Sequence, residues 1–147
     1  MTSTEPSATR LSATGRRRPD GVVRRAAMEF GRTQSAIGHA RDFTVDFLER
    51  SASTAAGAVD AARLVVSELV TNVVKYAPGP CRLELVLHTG LLEICVHDTY
   101  GALPVARPRD PERVGRHGME IVLAICTGVE VEPTAHGKRV RAFLPLH

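Results

Sequence analysis

Glu68, Asn72 and Lys75 interrupt an otherwise apolar stretch at spacings of four and three residues. At about 100° per residue, that spacing sets a carboxylate, an amide and an ammonium on one stripe roughly 60° wide if the stretch is helical. The three groups together suit a nucleotide. The amide oxygen can ligate Mg²⁺, the carboxylate can orient or deprotonate a hydroxyl nucleophile, and the ammonium can meet phosphate. Polar residues at i, i+4 and i+7 also mark the ordinary solvent face of an amphipathic helix, so spacing alone leaves both readings open. Two further places carry chemistry. Asp98 ends the run LLEICVH and opens a long segment, which makes it either a strand-end ligand or an Asx-turn residue bonded to its own backbone. Gly115-Arg116-His117-Gly118 directly precedes a helical pattern, where free N–H groups can face phosphate, although a glycine there also serves a simple turn.

The elements that must position these residues follow from the apolar periods. VVRRAAMEF, from Val22, reads as a first strand ending at Gly31. Ile37, Ala40, Phe43, Phe47 and Leu48 then share one face of a helix over about 35–50. Val59, Ala62, Val66, Leu69, Val70, Val73 and Ala77 recur at steps of three and four, which predicts a second helix that stops at Pro78. Residues 81–88 alternate, Thr89-Gly90 reads as a hairpin turn, and LLEICVHD continues as a second strand. Residues 99–114 hold three prolines and no period, a length usual for functional loops. A helix through Met119, Val122 and Ile125 and a last hairpin, VEVEP and KRVRAFLPL, complete the chain. Strands joined mostly by short turns predict a largely antiparallel sheet with helices on one face, an α+β two-layer α/β sandwich.

Composition narrows the class. A chain of 147 residues with 44% apolar content suits one globular domain. No apolar run approaches the roughly 20 residues of a membrane span, and the first 20 residues lack a secretory apolar core, so the expected location is cytoplasmic. Cys81, Cys95 and Cys126 show no Cys-x-x-Cys spacing and have apolar neighbours in sequence. They are expected as reduced core thiols, with no structural zinc site. Residues 1–25 carry six arginines against Glu5 and Asp20, net +4, while the other 122 residues carry 13 basic and 14 acidic groups, net −1. A near-neutral body argues against direct nucleic-acid binding. Residues 1–21 are expected to be a disordered basic tail and 22–147 the domain.

SELVTNVVKYA, VHDTYGALP, VGRHGMEIV and GKRVRAFLPL occur in one order, and together they resemble the N, G1, G2 and last-strand motifs of the GHKL (histidine kinase/gyrase-like) ATPase superfamily. The likeness is strongest to the stand-alone anti-sigma-factor serine kinases and spans about residues 25–146. It implies the Bergerat-type ATP-binding fold with ATP and Mg²⁺. Asn72 would ligate the metal, Glu68 would be the general base, and Lys75 would lie near the phosphates. Asp98 would accept the adenine amino group, with Gly101 allowing close approach of the base. Gly115, Arg116, His117 and Gly118 would surround the phosphates, and Thr99–Val114 would form a lid. The implied activity is a serine/threonine protein kinase that phosphorylates an anti-sigma-factor antagonist, sequesters a sigma factor and regulates transcription, with two copies able to pair. Three departures stand out: Tyr100 where a glycine is common, two residues rather than one between Gly115 and Gly118, and Arg139 where threonine often lies near the adenine. His39 lacks the flanks of a phospho-accepting histidine, and no such segment precedes the domain, which argues against a sensor histidine kinase. A non-catalytic binding module of the same fold is the alternative, and a nucleic-acid binder using the arginine-rich tail is a third reading.

Overall fold

The computed structural model describes residues 9–10, 21–31, 33–51, 55–76, 79–98, 114–135 and 137–146, and only the backbone of 9, 10, 76 and 114–118. Its elements are β1 (Thr9–Arg10), β2 (Val22–Phe30), α1 (Gln34–Glu49), α2 (Ala56–Tyr76), β3 (Cys81–His88), β4 (Leu91–Asp98), α3 (Val114–Ile125), β5 (Gly128–Pro133) and β6 (Lys138–Pro145). The strands form one sheet in the order β1-β5-β6-β4-β3-β2, and every pairing is antiparallel. This is the α+β sandwich expected from the periods.

Alternation along the strands divides the sheet into two unlike faces. Leu83, Leu85, Leu92, Ile94, Val96, Val129, Val140, Ala142 and Leu144 point at the helices and join a single apolar core. α2 supplies Ala62, Val65, Val66, Leu69, Val70, Val73 and Val74 to it, and packs between α1 and α3. Short branched residues at these positions let the helix lie close to the sheet. The β3–β4 hairpin turns at Thr89-Gly90, where Gly90 has φ +73°, a left-handed conformation that glycine adopts without steric cost.

β2 is an edge strand, and one side chain ties it to the helix layer. The Arg24 guanidinium lies 4.4 Å from the Phe47 ring centroid, and its Nη1 donates to the Phe47 carbonyl at 2.9 Å and to Ser51 Oγ at 2.8 Å. It thereby satisfies a carbonyl of the last turn of α1 that has no intrahelical partner.

Two sequence expectations need correction. Thr9 and Arg10, placed in an unstructured tail, pair with Val131 and Glu130 of β5; the rest of the expected tail, apart from Gly21, lies outside the described residues. All three cysteines are buried thiols outside any disulfide, but Cys95 belongs to the face away from the helices rather than to the main core. No helix among the described residues is long and apolar enough to cross a membrane.

Ile94 is fully buried at the centre of the helix-facing layer. Ile94→Ala should lower unfolding free energy by about 2–5 kcal/mol. Leu64→Ala, at a 40% exposed position of α2, should change it by less than about 0.5 kcal/mol. Urea titrations of both variants check the contrast.

Candidate functional site

The sheet register brings the chemistry-bearing segments to one end of the molecule. α2 ends at Tyr76, and a short link leads into Cys81, which lies directly across from Asp98 on β4. Asn72 is one helical turn from the end of α2, so helix and strand deliver an amide and a carboxylate to the same end. At the opposite end, Ala55, Ala58 and Ala61 near the start of α2 line one cavity of about 410 Å³ with Ile125 at the end of α3 and Leu144, Pro145 and Leu146 at the end of β6. α2 and α3 are therefore antiparallel, and the N-terminus of α3 lies toward Asn72 and Asp98.

Burial along the α2 stripe is graded. Lys75 is exposed, whereas Glu68 and Asn72 are half-buried. On a helical wheel, Lys75 continues the exposed line of Asp60 and Leu64, and Asn72 turns about 60° from it toward the valines. The stripe thus runs from solvent at Lys75 to the edge of the core at Asn72.

Gly115, Arg116, His117 and Gly118 form the first turn of α3, because the helix begins at Val114 rather than after the glycines as expected. Gly101 and the rest of 99–113 lie outside the described residues. Arg139 is the clear misplacement. It pairs with His97, whereas the partner of Asp98 is Lys138. Strand parity therefore turns Arg139 away from the helix layer, where its Nη2 meets the Glu132 carboxylate. Lys138, which sequence reading passed over, shares the helix-facing side with Val140 and Ala142. Alternation along KRVRAFLP was the signal that could have found it.

The other sheet face is an ionic lattice. Arg141 Nε lies 3.6 Å from Glu93 Oε2 and its Nη1 3.9 Å from Glu130 Oε1. Glu93 Oε1 is 3.1 Å from His88 Nε2. One strand position further along, His97 Nε2 lies 3.3 Å from Cys95 Sγ and 3.6 Å from Glu84 Oε1. Burial pushes the Cys95 thiol up to about 12, against the opposing pull of Arg139 and Arg141. Burial also holds the His97 imidazole below its ordinary pKa, with Glu84 opposing and Arg139 reinforcing the shift. Both groups are therefore neutral near pH 7.

The family model for the histidine kinase-like ATPase domain matches residues 30–144, most of the chain. No curated protein matches the chain at a significant level.

Arg139 on the outer face should not touch a nucleotide held at the Asn72–Asp98 end. Arg139→Gln should change ATP affinity by less than about twofold, below about 0.4 kcal/mol. Calorimetric titration decides, and a tenfold loss would return Arg139 to the site.

Proposed function

We propose, on the premise that the chain belongs to the histidine kinase-like ATPase domain family, that the end formed by α2, β4 and α3 binds ATP with Mg²⁺ and serves a protein serine kinase of the anti-sigma-factor type. Family membership supports ATP as the nucleotide. The kinase reading adds a serine hydroxyl of an antagonist protein as acceptor and a sequestered partner such as a sigma factor. One observation carries it: the end of α2 with Glu68 and Asn72, the end of β4 with Asp98, and the start of α3 with its glycines converge at one end of the two layers.

The donor set fits the ligands. Asp98 offers only acceptors, so it takes a hydrogen bond from the adenine amino group and disfavours guanine, which has a carbonyl oxygen there. The first N–H groups of α3 have no intrahelical partners and carry the positive end of the helix dipole, a cradle for phosphate oxygens. Gly115 and Gly118 carry no Cβ at their two positions of that turn, and Arg116, His117 and Lys75 are the cationic or donor side chains assigned to the phosphates. Gly101 is assigned to the base edge.

Asn72 would hold Mg²⁺ through its side-chain oxygen, and the ion, when bound, offsets phosphate charge. Glu68 lies one turn before Asn72 and accepts the proton of the serine hydroxyl. The serine oxygen forms a bond to the γ-phosphorus as the bond to the β-phosphate oxygen breaks, and ADP leaves. The protein's part is to position and to stabilise charge rather than to form a covalent intermediate.

Asn72→Ala should lose about 10- to 100-fold in ATP affinity in the presence of Mg²⁺, as expected when a partnered polar group is removed. Equal affinity of variant and parent by calorimetry contradicts the assignment. Glu68→Gln separates catalysis from binding. It should keep ATP affinity while transfer of labelled phosphate to candidate serine-bearing antagonist domains from the same genome falls by about 10² to 10⁴. Transfer at the parental rate removes Glu68 as base. A parent protein that transfers nothing yet binds such a domain tightly is a non-catalytic module instead.

A further inference from the structure

We propose that Glu84, Cys95 and His97 form a binding site for a zinc-class divalent cation on the sheet face away from the helices, at a place distinct from the nucleotide end. The three residues converge because of register and parity. Glu84 of β3 lies directly across from Cys95 of β4, and His97 follows Cys95 by two residues on the same face. One ligand atom from each lies within 4.8 Å of the other two.

The separations fit a tetrahedral ion. With zinc–sulfur near 2.3 Å and zinc–nitrogen or zinc–oxygen near 2.0–2.1 Å, tetrahedral angles require sulfur and nitrogen about 3.6 Å apart and nitrogen and oxygen about 3.4 Å apart. Cys95 Sγ to His97 Nε2 is 3.3 Å, and His97 Nε2 to Glu84 Oε1 is 3.6 Å. Each of these two values is within a few tenths of an ångström of that requirement, and the Cys95 sulfur lies within 4.8 Å of the Glu84 oxygen. Sulfur, imidazole and carboxylate together favour zinc or cobalt over magnesium or calcium, which prefer oxygen alone.

Charge on this face singles out the same residues. Glu132 is matched by Arg139, and Glu130 and Glu93 by Arg141. Among the described residues, Glu84 has the His97 imidazole at 3.6 Å and Arg25 at 3.9 Å, whose side chain is 61% exposed. A Glu84 carboxylate and a Cys95 thiolate would balance a doubly charged ion, and the neutral His97 ring offers a lone pair.

Access is also provided. Cys95 forms a buried floor, while the Glu84 and His97 side chains are 23% and 26% exposed and form the rim. Three protein ligands leave the fourth position for water or an incoming donor, unlike a closed structural site. Arg139 and Arg141 both act on the Cys95 sulfur. They favour the thiolate but repel the ion, and the thiol must give up its proton. The expected affinity is therefore weaker than that of a four-cysteine site.

The test uses untagged, reduced, metal-free full-length protein titrated with Co²⁺ and then Zn²⁺. One Co²⁺ should bind per chain with a near-ultraviolet sulfur-to-cobalt charge-transfer band, and Zn²⁺ should displace it. Cys95→Ser should abolish the band, and Glu84→Gln and His97→Gln should each weaken binding at least about tenfold. Arg139→Gln should tighten binding by removing a repelling charge. Cys81→Ser, Cys126→Ser and Asn72→Ala should leave the band and affinity unchanged, which separates this site from the nucleotide end. No band in the parent at saturating Co²⁺, a band that survives Cys95→Ser, or parental affinity in both Glu84→Gln and His97→Gln overturns the proposal. If Cys95→Ser does not fold by circular dichroism, the two variants at the half-exposed rim decide alone.

Discussion

The register of β3 against β4 is the constraint on which both faces of the protein depend. Leu83 against Val96, Leu85 against Ile94 and Leu87 against Leu92 put six apolar side chains under the helices. The intervening pairs, Arg82 with His97, Glu84 with Cys95 and Val86 with Glu93, go to the other side. A slip of one residue would exchange the two sets, burying charges beneath α2 and exposing leucines. The same register sets Cys81 opposite Asp98, which fixes where the link from α2 must land and so where Asn72 stands relative to the carboxylate.

The helix face is settled by area, the outer face by pairing. Valines and alanines on α2 lie on leucines and isoleucine of the sheet, and no directional contact is needed to hold them. On the outer face Phe143, Val86 and Cys95 are buried among acids and bases. There each charge needs a partner, because an unmatched buried charge costs far more than an apolar side chain gains. Glu130 is buried and Glu93 nearly so, and both are supplied by Arg141 from the neighbouring strand. Cross-strand pairing of opposite charges replaces a second layer of helices as the organising force there.

Strong periods made most of this fold legible in the sequence. The alternation of CRLELVLH and LLEICVHD defined both strands to the residue, and the steps of three and four from Val59 to Val73 defined α2. Errors came where a neighbour in sequence was taken for a neighbour in space. Cys95 was read as a core thiol because Ile94 and Val96 flank it, yet in a strand those two belong to the opposite face. The resemblance set Arg139 where a threonine often lies near the adenine, and only the β4–β6 register supplies its parity relative to Asp98. The glycines at 115 and 118 were read as standing directly before the helix, yet α3 takes them into its first turn, which glycine does not forbid. Thr9 and Arg10 pair with β5 in a backbone register, which leaves no mark on composition.

Asp98 and His97 are adjacent in sequence and face opposite sides of one strand, so the two ends of chemistry on this sheet share a backbone. Their partners on β6 are equally adjacent: Lys138 faces the helices and Arg139 the ionic lattice. A cation held by Glu84, Cys95 and His97 would clamp β3 to β4 one residue short of the position that presents Asp98. It could affect nucleotide binding without touching nucleotide, by restricting how far the end of β4 moves away from Cys81. Thermodynamic linkage makes such coupling reciprocal, so a nucleotide that orders the end of β4 must strengthen cation binding by the same factor. If the strand end is already rigid, neither ligand has a difference to act on and the factor is one. The size of any coupling is thus set by the freedom left at Asp98, the last paired residue of β4 before the segment leading to α3.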